Sequence, residues 1–137
     1  MLIRESFVPA RIQVREHPEA MERWNVHWTP TILVLGADGK EHHRIEGFLE
    51  ADDFLAQLLL GLGQVALAEK RWDEAERRFA EVLERFPGAE GAAEAQYWRG
   101  VARYKASSDP ADLHATAQAF QERYRDSVWA KKASIWG

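Results

Sequence analysis

Five histidines, at positions 17, 27, 42, 43 and 114, are the side chains of this 137-residue sequence best suited to metal ligation or proton transfer. His42 and His43 are adjacent, and with Glu41 they could suggest a metal site. Successive residues of a strand point to opposite faces, so the two imidazoles cannot easily share one ion. Solvated histidines of an edge strand are the expectation. Asp52-Asp53 resembles an acidic pair, but it stands at the start of a helical pattern. Carboxylates there complement the helix dipole by about 0.3–1 kcal/mol. The serines, at 6, 107, 108, 127 and 134, lack the strand–elbow–helix context that activates a nucleophile. Gly61-Leu62-Gly63 falls inside a helical pattern, and no Gly-rich phosphate loop exists. Cysteine is absent. Disulfides, thiolate nucleophiles, dithiol redox chemistry and thiolate metal sites are therefore excluded from this chain. No catalytic residue, metal site or cofactor is assigned, and the chain is expected not to be an enzyme.

Composition bounds what remains. Apolar residues make up 46% and charged residues 29%, enough for a real core. The formal charge is −4, and both signs are mixed along the chain. Without a basic stripe, phosphates have no electrostatic footprint, so nucleic acid is not an expected partner. Leu58-Leu59-Leu60 is broken by Gly61, and no apolar run approaches ~20 residues, so no membrane span is expected. The N-terminus lacks a secretory pattern, and a cytoplasmic protein is expected.

The first half has a mixed α/β pattern. Residues 7–14 alternate apolar and polar toward their end and predict a strand, with Pro9 at its start or on an edge. His17 to Trp24 predicts a short helix, with Pro18 in its first turn and Met21 and Trp24 facing a sheet. Thr31-Ile32-Leu33-Val34-Leu35 is a continuous apolar run, as in a strand covered on both faces. Ala37-Asp38-Gly39-Lys40 predicts a hairpin turn. The polar return strand, Glu41 to Gly47, suits an edge.

After Gly47 the period changes. Phe54, Leu55, Leu58, Leu59, Leu62, Val65 and Ala66 mark one helical face. Past Lys70-Arg71, a second helix should bury Trp72, Ala75, Phe79, Val82, Leu83 and Phe86, and Pro87-Gly88 ends it. A third helix is predicted over about 90–106. A fourth runs from near Pro110 to near Tyr124, after a turn at 107–110. Phe86, Ala92, Ala95 and Trp98 recur as Tyr124, Ala130, Ala133 and Trp136 at a constant offset of 38 residues. A fixed period of this size marks stacked helical hairpins.

The second half resembles tetratricopeptide repeats. Leu59, Leu62, Gly63, Ala75, Phe79, Val82 and Pro87 fall at that family's spacings. Ala66 stands where an aromatic is usual, and Val82 where a small residue is usual. Tyr124-Arg125-Asp126-Ser127 is similar to the Tyr-Pro-Asp-Ser ending of such repeats, with Arg125 in place of proline. The first half resembles the C-terminal portion of a thioredoxin fold, over about residues 7–60. The match rests on Val26-His27-Trp28-Thr29-Pro30-Thr31-Ile32-Leu33-Val34-Leu35, then Asp38-Gly39-Lys40 and Arg44-Ile45-Glu46-Gly47-Phe48. The resemblance implies a cis Thr29-Pro30 bond whose neighbouring backbone pairs with bound peptide. The whole chain is similar to bacterial proteins joining a thioredoxin-like domain to a short helical-repeat tail.

The expected architecture is thus α/β then all-α: a partial thioredoxin-like domain over 1–50 and a repeat-like helical tail over 51–137. Thioredoxins have a strand, a Cys-x-x-Cys helix and a central strand ahead of the position matched by Phe7. Without the central strand, the segments 7–14 and 31–35 would present unpaired edges. Each buried unpaired group costs about 1–3 kcal/mol. The two strands could pair directly, a second copy could supply the edge, or the chain could be a fragment of a longer product. The apolar run at 31–35 favours a homodimer. Trp28, Thr29 and Pro30 are candidates for peptide binding; a core or dimer-contact tryptophan is the plainer reading of Trp28. Gln57, Gln64, Gln96, Arg99 and Arg103 are candidates for a groove lined by the first helix of each pair. Two functions follow. One is a non-catalytic module for a protein or peptide partner. The other is the cysteine-free remainder of a thiol–disulfide oxidoreductase whose redox motif lies upstream of Met1.

Overall fold

A computed structural model describes residues 2–137. Two short helices come first, α1 (Leu2–Ser6) and α2 (Pro18–Arg23). They are followed by β1 (Thr31–Leu35) and β2 (Glu41–Glu46). Four long helices then stack: α3 (Ala51–Ala68), α4 (Trp72–Arg85), α5 (Ala92–Ser107) and α6 (Ala111–Glu122). α7 (Val128–Ala133) and a 3-10 turn (Ser134–Trp136) close the chain.

The sheet is an antiparallel hairpin of two strands, with Thr31 opposite Glu46, Ile32 opposite Ile45, Leu33 opposite Arg44 and Val34 opposite His43. A bulge follows Val34. The turn forms where the sequence places it. Gly39 takes φ +80, Gly36 N–H donates to Lys40 O at 2.9 Å, and Lys40 N–H donates to Asp38 Oδ1 at 3.0 Å.

The strand predicted over 7–14 does not form. Those residues are irregular, and Val8 is 99% exposed. A strand exists only through its ladder, and no neighbouring segment offers 7–14 one. Direct pairing of 7–14 with 31–35 is therefore also absent. β1 is covered unevenly: Val34 is buried, while Leu35 is 39% exposed.

Helix α3 joins the two halves. Gly61 sits beneath Val34 of β1, and a Cβ placed there would lie 2.6 Å from Val34 Cγ2. Only a glycine lets the helix approach that closely. On its other side, Gly63 faces the ring of Phe79 on α4 in the same manner. α3 is 18 residues long with mean hydropathy 1.2, enough by length and composition to cross a membrane. Here its apolar side chains pack inward: Ala56, Leu58, Leu59, Leu60 and Ala66 are buried.

The principal core joins α3, α4 and α5 through Leu59, Leu60, Ala75, Phe79, Val82 and Ala95, with Leu2 of α1 packed against it. A second core joins α5, α6 and α7 through Ala93, Phe120 and Ala133. It is sealed by aromatics: Tyr97 stacks on Trp136 at 4.8 Å between centroids and meets Trp98 edge-on at 5.2 Å. Trp136 thus docks on the last helix pair. Trp72, expected to be buried, is partly exposed at the start of α4.

Candidate functional site

The predicted site residues fall in two separate places. Trp28, Thr29 and Pro30 lead into β1. The Thr29-Pro30 bond is cis. Thr31 Oγ1 donates to the Trp28 carbonyl at 2.5 Å, and Gly47 N–H donates to the Pro30 carbonyl at 2.8 Å. Trp28 is not a core residue: 68% of it is exposed. Phe48, just past β2, is 84% exposed.

The bond from Gly47 to Pro30 fixes the parity of the hairpin ladder. In an antiparallel pair, every second residue turns its N–H and C=O toward the partner. Pro30, Ile32 and Val34 turn theirs toward β2. Thr31, Leu33 and Leu35 therefore turn theirs to the opposite edge, where no described residue pairs with them.

One face of the hairpin is closed by α3, where His43 Nε2 meets Gln57 Oε1 at 2.6 Å. Gln57, a groove candidate, is thus engaged with the sheet. The other face is closed by Arg44. Its guanidinium donates to the carbonyls of Trp24 at 2.5 Å and Asn25 at 2.8 Å, and to both carboxylate oxygens of Glu41 at 2.7 and 2.9 Å. That bidentate bond holds the Glu41 carboxyl below its ordinary range and raises Arg44 further. The sequence places Arg44 on a polar edge strand, yet its side chain is only 21% exposed. It is the clasp between α2 and the sheet, and no local pattern signals it.

The second place is a cleft of about 80 Å³ between α4, α5 and α6, lined by Leu83, Gln96, Arg99, Arg103, Ala115 and Thr116. Gln96, Arg99 and Arg103 lie there together because they share one face of α5. Gln64 does not line this cleft. The α5 stripe faces α4 and α6. Glu76 of α4 accepts from Arg103 Nε at 2.7 Å and lies 3.6 Å from Arg99 Nε. One carboxylate is thus shared by two guanidiniums. Gln96 Nε2 donates to Arg123 O at 3.4 Å.

A larger, shallow cleft of about 400 Å³ lies at the α3–α4 turn, beside Lys70, Arg71, Trp72 and Glu74. Arg71 is already paired there with Glu69 and Glu74. No group of three or more His, Cys, Asp or Glu suited to a metal ion occurs among the described residues.

Comparison supports a thioredoxin-like domain in the first half. Residues 3–61 match the family model of a thioredoxin-like domain. No curated protein and no solved structure matches the chain. The match thus runs from α1 into α3, as far as the contact of Gly61 with Val34, and a helical remainder follows. Trp28, Thr29 and Pro30 lie inside the match; Gln64, Gln96, Arg99 and Arg103 lie beyond it.

Proposed function

We propose that this chain is a non-catalytic protein-interaction module that self-associates as a homodimer through the open edge of its thioredoxin-like sheet. The observation that carries this is the edge of β1. Three residues, Thr31, Leu33 and Leu35, turn backbone donors and acceptors outward with no partner among the described residues. Such an edge is a template for another strand. Exposed Trp28 and Phe48 add apolar surface nearby. The helical remainder, a tetratricopeptide-like stack, supplies a second contact surface for a protein or peptide partner, with the partly exposed Arg99 and Arg103 on its polar side. Absence of cysteine supports a role without thiol chemistry in this chain. Light scattering after size exclusion at micromolar concentration tests the reading. A dimer mass is expected, and a clean monomer overturns it.

The thioredoxin-like match supports a second reading, the cysteine-free part of a thiol–disulfide oxidoreductase. DNA upstream of the first codon discriminates the two. An in-frame Cys-x-x-Cys segment favours the oxidoreductase.

A further inference from the structure

The molecule carries both an open strand edge and an unpaired segment with a strand's sequence. Val8, Ala10, Ile12 and Val14 alternate with Pro9, Arg11 and Gln13. Val8 is 99% and Ile12 52% exposed, and no backbone hydrogen bond among the described residues involves residues 8–12. The segment is not paired with its own β1, and the elements on either side of it are anchored. Leu2 of α1 packs on the helical core, and Arg44 clasps the Trp24 and Asn25 carbonyls behind α2.

The geometry points to exchange: residues 8–12 of one copy pair with the open edge of β1 in a second copy, and the reverse. This closes a twofold dimer and rests on the self-association proposed above. Parity supports it. If Val8, Ala10 and Ile12 turn their backbones to β1, Pro9 turns its missing donor outward, where the loss is harmless. Residues directly opposite share a face. Ala10 opposite Leu33 then sets Val8 and Ile12 beside Thr31 and Leu35. In the antiparallel direction, where opposed residues can both face inward, the exposed side chains of the segment meet exposed Leu35 and half-buried Thr31 and Leu33. Two defects of the single chain are resolved together, with the same patch used on both copies.

The chain has no cysteine, so introduced thiols give a clean test. Chains carrying Ala10→Cys and chains carrying Leu33→Cys are mixed and oxidised, and disulfides are read by mass. Ala10 and Leu33 are opposite in the antiparallel pairing, at the ~5.5 Å between Cα atoms that a disulfide spans. A 10–33 disulfide between chains is the expected product. A dimer that gives only 33–33 disulfides overturns the exchange and leaves self-association standing. A doubly substituted chain that closes a 10–33 bond within one monomer also overturns the exchange. A monomer by light scattering overturns both. Proline substitutions test the parity independently. Ile12→Pro removes a donor facing β1 and should weaken dimerisation about tenfold. Gln13→Pro removes one facing outward and should leave it unchanged. Equal effects of the two overturn the parity argument.

Discussion

The hydroxyl of Tyr124 donates to the carbonyl of Pro87 at 2.7 Å. The two residues lie at the ends of successive helical units, and Tyr124 is the counterpart of Phe86 at the 38-residue offset. The aromatic that ends the later unit therefore pins the end of the earlier one. Tyr124→Phe keeps the ring and removes the bond. A loss of about 0.5–1.5 kcal/mol is expected in urea unfolding, with an unchanged denaturant slope.

Gly61→Val should separate the sheet from the helices. A Cβ at 61 already meets three atoms of Val34 within 3.2 Å. A loss of about 1–3 kcal/mol is expected from overpacking, and amide exchange of β1 should accelerate. Val34→Ala on that background should restore part of the loss, because it removes the methyls that clash.

The clasp at Arg44 gives an acid-sensitive contribution. Because Arg44 donates to it, the folded-state Glu41 carboxyl titrates below its ordinary value of 4.5. A depressed carboxylate stabilises the fold fully above its unfolded pKa, and the contribution fades as pH falls through the lowered value. Thermal melting should therefore drop below about pH 4.5 in the native chain. Glu41→Gln should melt lower at pH 7 and lose part of that acid dependence.

Trp136→Ala should loosen the last core. The indole stacks on Tyr97, and Trp129 lies 5.2 Å from the same ring. A loss of about 3–5 kcal/mol is the usual range for such a truncation in a core; partial exposure of Trp136 places this one at the lower end. Near-UV circular dichroism should weaken with it.

The sequence was most legible where one pattern decided one element. Pro18 and Glu19 mark the start of α2, and Asp38-Gly39 marks the hairpin turn. Ala75, Phe79, Val82 and Leu83 mark the buried face of α4. It was misleading at residues 7–14, whose alternation is real but whose ladder is absent. Strand pattern states what a segment can do, and pairing decides whether it does. Leu60 escaped the predicted face of α3 because that helix is packed on more than one side. The helix ends at Lys70, Ser108 and Tyr124 adopt φ of 63, 59 and 63 without glycine, so no glycine signalled their left-handed turns. At the candidate site, the common face of Gln96, Arg99 and Arg103 followed from helical spacing. Which helices that face met did not, because spacing within α5 carries no information about its neighbours. Arg44 was invisible for the same reason: its partners Trp24 and Asn25 lie 20 and 19 residues away.

Because α3 rests on Val34 at Gly61 and on Phe79 at Gly63, less than one turn of a single rod separates its grip on the two halves. There is no pliable joint between them. A load applied at the strand edge is transmitted along that rod to α4, and the chain should yield to heat or force in one step.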